Sequence, residues 1–239
     1  MTEQITGGTT MGASRDTDIQ FNLADAFEAV AAAVPDRTAI IFGDQQLTYA
    51  ELDAEANKLA HFFADLGVSK GDHVALYLMN SMEHLISIVS LIKLGAPAVN
   101  VNYRYTGPEL HHIMHDSDSK VIVVELPEHQ DLLATMVDQL PELKALVILG
   151  DPTESLKDAA QAAGVTVHNF NKYSQFGDQN DFGERTGDEH FIMYTGGTTG
   201  YPKGVLWRHH DFFMKPLSAG NPYGDARRNL DELGKGAAE

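Results

Sequence analysis

Short runs of almost purely apolar residues alternate with amphipathic segments along the middle of this chain. HVALYL (73–78), KVIVV (120–124) and KALVIL (144–149) are each followed by a stretch with apolar residues at helical spacing. Strands that are apolar on both faces are typical of a parallel sheet covered by helices on both sides. We therefore predict an α/β fold in which mostly parallel sheets are flanked by helices.

Local signals indicate where individual elements begin and end. Thr48 and Glu51 have the spacing of a capping box, which predicts a helix that begins at Tyr49. Thr106, followed by Pro108, predicts a second helix start. The other predicted elements are a helix ended by Pro35, a hairpin of 38–42 and 47–49, helices over 81–95, 127–139 and 155–164, strands over 97–101 and 190–195, and a polar loop over 168–189.

Three regions of the chain differ in composition. Residues 1–17 are small and polar and are predicted to form a disordered leader. Residues 18–215 form the predicted domain, and residues 216–239 are predicted to be an irregular, exposed tail. No stretch of eighteen apolar residues and no secretory signal occurs, so we expect no transmembrane segment.

The net charge limits which ligands the chain can attract, and the cysteine content bears on its redox compartment. The chain has 17 basic and 34 acidic residues, and its net charge of -17 repels nucleic acid over most of the surface. An anionic ligand therefore needs a local pocket of backbone N–H groups and one or two cations. Because there is no cysteine, the reducing cytoplasm is the simplest setting. The sequence is compatible with a monomer and with a homo-oligomer.

The pentapeptide TGGTT occurs twice, at 6–10 and at 195–199. The first copy lies in the predicted leader, with no strand before it and no lysine nearby, so we interpret it as flexible chain. The second copy directly follows the predicted strand 190–195 and is followed by Lys203. A phosphate-binding loop needs a strand to orient it and a cation to complete it. Only the second copy meets both requirements.

Each residue type in the second copy suits an anion. Glycines let backbone N–H groups approach a phosphate closely, threonine hydroxyls add donors, and a lysine adds a full positive charge. The Walker A pattern does not fit, because Lys203 follows Pro202 and precedes Gly204. The candidate phosphate-binding residues are Thr195, Gly196, Gly197, Thr198, Thr199, Gly200 and Lys203.

The segment YTGGTTGYPKG (194–204) resembles the phosphate-loop signature of the adenylate-forming superfamily, with Gly196 at the position of the usual serine. LTYAEL (47–52) and LIKLGAPAVNVNYRYTGPEL (91–110) resemble the first two core motifs of that family. VLWRHHDFF (205–213) is most similar to actinobacterial ligases that join coenzyme A to fatty or steroid side-chain acids. The resemblance covers roughly residues 20–215.

The resemblance implies a fold and a reaction. The fold is the N-terminal portion of the large adenylate-forming domain. Members activate a carboxylate with ATP and Mg²⁺, release pyrophosphate, and pass the acyl group from the adenylate to a thiol, here coenzyme A. The loop from Thr195 to Gly200, together with Lys203, is expected to hold the β- and γ-phosphates, and Thr195 is expected to help hold Mg²⁺. The expected substrate is a fatty or steroid-derived carboxylic acid.

The chain also departs from the family pattern. Only 35 residues follow Gly204, and we find neither the adenine-contacting motif nor the ribose-binding aspartate, the hinge or the C-terminal domain. Lys235 lies in surroundings unlike those of the family's catalytic lysine, so no catalytic residue is assigned. We expect a fragment, a truncated product or one subunit of a split ligase, with little or no turnover by itself.

Alternative functions were weighed against the ligase. A catalytically inactive remnant that at most binds nucleotide phosphate or a partner chain stays open. A dinucleotide-binding oxidoreductase is set aside, because no Gly-x-Gly-x-x-Gly follows the first strands. His111 and His115 have a spacing that can bind metal, but a polar helix face is the favoured interpretation. Arg208 is open to a phosphate contact or a surface role.

Overall fold

A computed structural model describes residues 20–196 and 200–239. The first TGGTT copy and the predicted leader lie outside these residues, as do Gly197, Thr198 and Thr199. Within the described ranges, no helix combines the length and apolar character that a membrane crossing requires.

The elements follow one another in an alternating order. The helices are α1 Leu23–Ala33, α2 Tyr49–Asp65, α3 Met82–Leu94, α4 Gly107–Asp116, α5 Pro127–Ala134, α6 Glu154–Ala163, α7 His209–Met214 and α8 Leu230–Ala238. The strands are β1 Thr38–Phe42, β2 Gln45–Thr48, β3 Val74–Tyr77, β4 Ala98–Asn100, β5 Val121–Val124, β6 Ala145–Ile148, β7 Thr166–Asn169, β8 His190–Thr195 and β9 Lys203–Arg208.

The main sheet has seven strands in the order β7-β6-β5-β3-β4-β8-β9, and β1 and β2 form a separate antiparallel pair. All neighbours in the main sheet are parallel except β9, which runs antiparallel to β8. The prediction of an α/β fold with a mostly parallel sheet is confirmed.

Alternate residues of the central strands face two separate cores. In β3, Val74 and Leu76 pack in the cluster that contains the apolar side chains of α2 and α3. Ala75 and Tyr77 pack in the cluster that contains those of α4, α5 and α6. A strand buried on both faces must be apolar at every position, which is why the sequence shows continuous apolar runs rather than alternation.

The helices that follow two neighbouring strands lie on opposite faces of the sheet. Helix α3 follows β3 and contributes to one core, whereas α4 follows β4 and contributes to the other. Because the two connections diverge, a crevice opens at the carboxyl ends of β3 and β4. Open α/β sheets bind their ligands at such a switch point.

Two segments differ from their predicted structure. The predicted loop over 168–189 overlaps β7, whose sequence TVHN has one apolar residue and lacks the continuous apolar pattern of the inner strands, because β7 lies at the sheet edge. The predicted irregular tail over 216–239 contains α8. A Cβ on Gly234 would lie 3.2 Å from the Ala29 carbonyl, so the glycine lets α8 pack closely against α1. Tertiary contact therefore outweighs a weak helix propensity.

The capping box at the start of α2 is confirmed and yields a prediction. Glu51 N donates to Thr48 Oγ1 at 3.2 Å, and Thr48 N donates to Glu51 Oε2 at 2.8 Å. Replacing Thr48 by alanine should lower the free energy of unfolding by about 1 kcal/mol. Thr106, the N-cap of α4, makes no such side-chain bond, so Thr106→Ala is the matched control with a smaller expected loss. Equal losses in urea denaturation would contradict this assignment.

Candidate functional site

The predicted phosphate loop connects the two strands of a hairpin. Strands β8 and β9 are paired from His190↔Arg208 to Thr195↔Lys203, so residues 196–202 form the connection. Residues directly opposite in an antiparallel pair have Cβ atoms about 4.5–5.5 Å apart on one face. Thr195 and the exposed Lys203 therefore present their side chains together at the mouth of the loop.

Pairing with β4 decides where the loop lies. Val99 of β4 is in register with Ile192 of β8, and the two strands run parallel. Their carboxyl ends therefore meet at the same edge of the sheet. The carboxyl end of β8 consequently lies beside the crevice at the ends of β3 and β4.

A polar cavity of about 300 Å³ occupies that crevice. Its lining is neutral and rich in hydrogen-bonding groups, and it includes Asn80, Asn100, Asn102, Tyr103, Tyr105 and His84. Tyr105 also approaches the loop, since a Cβ on Gly196 would lie 3.7 Å from its hydroxyl oxygen. The cavity therefore lies beside Gly196, the first residue after β8.

His84 is the least expected member of this lining. The side chain is only 8% exposed, and burial lowers its pKa, so the imidazole is neutral at pH 7. Its Nε2 has no hydrogen-bond partner among residues 20–196 and 200–239. His84 and the three asparagines were not predicted from the sequence. A signal was present, because Asn80 lies three residues after β3 and Asn102 two residues after β4, near the strand ends where a parallel sheet places its ligands.

Tyr194 joins the loop to the rest of the site. Its hydroxyl donates a hydrogen bond to Asp116 Oδ2 at 2.8 Å, and burial together with this carboxylate raises its pKa above 10. Gly204 lies opposite Tyr194 in the hairpin. A Cβ on Gly204 would lie 3.2 Å from the Tyr194 ring, so a glycine here lets the ring lie flat across β9.

The surroundings of Arg208, and those of His111 and His115, do not favour the phosphate or metal contacts that their sequence positions allowed. Arg208 lies at the far end of β9, about 17 Å along the strand from Lys203 at 3.4 Å per residue. It pairs there with Asp188 and Asp211, so its role is on the surface. His111 and His115 stack at 6.1 Å between ring centroids, yet the described part of the chain contains no group of three metal-ligating side chains.

The sequence profile of the family described as AMP-binding enzyme matches residues 27–228. The chain belongs to this family. This match confirms the resemblance drawn from 194–204. The profile matches nearly the whole of the described domain, from within α1 to the residues before α8.

Curated relatives in the AMP-binding enzyme family are acyl-CoA ligases. A medium/long-chain-fatty-acid–CoA/3-oxocholest-4-en-26-oate–CoA ligase of Mycobacterium marinum is 39% identical over 226 residues, covering 92% of this chain and 40% of the relative. A 3-oxocholest-4-en-26-oate–CoA ligase of Rhodococcus rhodochrous is 36% identical, covering 80% of this chain and 33% of the relative. The chain thus spans about 40% or less of the length of these relatives.

Solved structures of AMP-binding enzymes share the fold. The anthranilate CoA ligase AuaEII in complex with anthranoyl-AMP superposes with a TM-score of 0.72 at 28% identity, covering 84% of this chain and 36% of that one. The inhibitor-bound N-terminal domain of FACL13 from Mycobacterium tuberculosis gives a TM-score of 0.64 at 30% identity, covering 86% of this chain and 48% of that one. The mostly parallel sheet flanked by helices is therefore that of adenylate-forming N-terminal domains.

Proposed function

We propose that this chain supplies the polyphosphate-binding part of an ATP-dependent acyl-CoA ligase for fatty or steroid-derived carboxylic acids. In that reaction a carboxylate oxygen attacks the α-phosphorus of ATP, and pyrophosphate leaves with the electrons of the broken P–O bond. The thiol of coenzyme A then displaces AMP from the acyl-adenylate. The acids named for the relatives support this substrate class.

One observation carries the proposal: the direct cross-strand pairing of Thr195 with Lys203 at the end of the β8–β9 hairpin. The pairing presents a hydroxyl donor and an ammonium together at the mouth of a glycine-rich connection. Charge-assisted hydrogen bonds of an ammonium to phosphate oxygens are about twice as strong as neutral ones. In a chain of net charge -17, this arrangement is a local exception to a field that repels anions.

The remaining loop residues have complementary roles in the proposal. Gly196 and Gly200 flank the stretch Gly197, Thr198 and Thr199, whose amides and hydroxyls are proposed to complete the phosphate contacts. Thr195 offers an oxygen of the hard type that Mg²⁺ prefers, and its exposed position beside Lys203 fits such a role. Mg²⁺ held there would supply positive charge that offsets the repulsion among the phosphate oxygens. The neutral lining of the adjacent cavity suits a reactant held beside the phosphates.

Replacing Lys203 by alanine tests the proposal. We expect affinity of the 239-residue chain for MgATP and for magnesium pyrophosphate to fall about tenfold or more, because one charge-assisted bond contributes roughly 1.5–3 kcal/mol. Isothermal titration calorimetry measures both ligands. Lys215→Ala is the matched control, since Lys215 is exposed and follows α7 rather than the loop. Unchanged affinity in Lys203→Ala, or no binding by the parent chain, would refute the proposal.

A further inference from the structure

Helix α4 contacts the described residues at both ends of the hairpin connection. His112 Nε2 lies 2.9 Å from the carbonyl oxygen of Pro202. A carbonyl oxygen only accepts, so Nε2 carries the proton and donates. The same imidazole stacks on the ring of Tyr201, with 4.9 Å between centroids and 27° between planes. One side chain of α4 thus holds the two residues that directly precede Lys203.

A second contact from the same helix holds the other strand. Asp116 lies four residues after His112, on the same face of α4. It accepts the hydrogen bond from Tyr194 at 2.8 Å, and Tyr194 directly precedes Thr195. Both ends of the connection, one at Thr195 and one at Lys203, are therefore tied to a single helix.

The helix that makes these contacts is itself fixed to the core. Leu110 and Ile113 are fully buried in the cluster that α4 shares with the central strands, and Met114 is nearly so. A residue on this helix has little freedom to move relative to the sheet. Contacts from His112 and Asp116 therefore hold the two ends of the hairpin connection in a fixed position relative to the core.

We propose that His112 is a positioning residue of the phosphate loop. Its Nε2–H orients the Pro202 carbonyl, and so the backbone that leads into Lys203, such that the lysine is held beside Thr195 before ligand arrives. His112 does not itself contact phosphate in this proposal, which rests on the proposed function of the loop. Ordering the loop in advance lowers the entropy lost on binding, which is how a distant contact raises affinity.

The neighbouring histidines of α4 serve as internal controls. His111 Nε2 is hydrogen-bonded to Gln139 Oε1 at 2.9 Å, away from the hairpin. His115 is exposed and makes a stacking contact with His111. His115→Ala removes an imidazole from the same helix without removing a hairpin contact. His112→Gln keeps an N–H donor of similar reach, whereas His112→Ala removes it.

The first measurement needs no ligand. Long-range ¹H–¹⁵N correlation spectra should show His112 in the Nε2–H tautomer, and a nuclear Overhauser spectrum should show cross-peaks between its ring and that of Tyr201. Tryptic cleavage after Lys203, followed by mass spectrometry, should be about fivefold or more faster in His112→Ala, because opening of the hairpin precedes cleavage. His112→Gln and His115→Ala should be cleaved at the parental rate. Equal cleavage of His112→Ala and His115→Ala would overturn the proposal, as would failure of His112→Gln to restore protection.

The second measurement links the contact to the ligand. MgATP affinity should fall about five- to tenfold in His112→Ala, because this variant loses one contact that orders the loop before binding. Affinity should return to within about twofold of the parent in His112→Gln. Unfolding curves for each variant confirm that the fold is intact. If the tautomer and cleavage results hold while the parent chain binds no MgATP, the contact stands and the proposed function fails. If the parent binds and His112→Ala binds equally well, the positioning role fails alone.

Discussion

Replacing Lys93 by methionine is expected to lower the free energy of unfolding by about 3 kcal/mol, because it removes a buried cation from between two carboxylates. Lys93 is fully buried in α3, and its Nζ lies 2.5 Å from Glu28 Oε1 and 2.9 Å from Asp53 Oδ1. Breaking a buried pair leaves an uncompensated charge. The expected loss is at the lower end of the usual range, because Arg185 still neutralises Glu28.

A surface lysine provides the matched control for this prediction. Lys157 pairs with Glu154 at 2.7 Å within α6, and both side chains are solvent-exposed. Lys157→Met should cost less than about 1 kcal/mol, since water screens exposed pairs. Urea denaturation at pH 7 measures both variants. A loss for Lys93→Met no larger than that for Lys157→Met would show that burial does not strengthen the Lys93 interactions.

The same ion network holds the segment that leads into the candidate site. Arg185 donates to Asp25 Oδ1 at 2.8 Å, to Glu28 Oε2 at 2.9 Å and to the Lys93 carbonyl at 3.2 Å. These contacts tie the chain just before β8 to α1 and α3. The network therefore supports the strand that ends at Thr195, in addition to its contribution to stability.

Acidification from pH 7 to pH 4 is expected to destabilise the protein by up to about 3 kcal/mol through His209 alone. His209 is 1% exposed, and burial lowers its pKa to about 4. Glu189 and a hydrogen bond with the His190 backbone oppose this shift, whereas the charges of His190 and Lys70 add to it. Above pH 6.5 the imidazole is neutral in both the folded and the unfolded chain. Between pH 6.5 and pH 4 only the unfolded chain binds the proton, so folding stability falls over that window.

A second group extends the acid sensitivity to lower pH. Burial acts to raise the pKa of Glu28, but hydrogen bonds and charge from Arg185 and Lys93 outweigh it and hold the pKa below its usual 4.5. The ionised carboxylate therefore stabilises the fold above the unfolded pKa. That stabilisation is lost as pH falls below about 4.5 and through the lowered folded value.

The contribution of His209 is measured by the pH dependence of unfolding in a variant. His209→Asn removes the titrating group while keeping an acceptor for Leu23 N, which lies 3.4 Å from His209 Nδ1. We expect a shallower fall in unfolding free energy between pH 6.5 and pH 4 than in the parent. His115→Asn, at an exposed position, should retain the parental slope. Parallel curves for the parent and His209→Asn would contradict the assignment to His209.

Secondary structure could be predicted from the sequence where residues close together in the chain determine it. The apolar runs of β3, β5 and β6 require burial on both faces, and the Thr48–Glu51 capping box satisfies itself within four residues. The YTGGTTGYPKG segment identified the family by its own residues. By contrast, α8 has glycines that disfavour a helix in isolation, and its close packing against α1 stabilises it together with the Asn229 N-cap.

The candidate site depends on contacts between residues far apart in the chain. The pairing of Val99 with Ile192 brings the loop beside the crevice, and the contact of His112 with Pro202 joins α4 to the loop. The sequence alone determined the inner strands and the capped helices, because hydrophobic period and capping are local properties. Only the tertiary structure decided which strand ends meet and which histidine contacts the loop, because strand order depends on how the two cores pack.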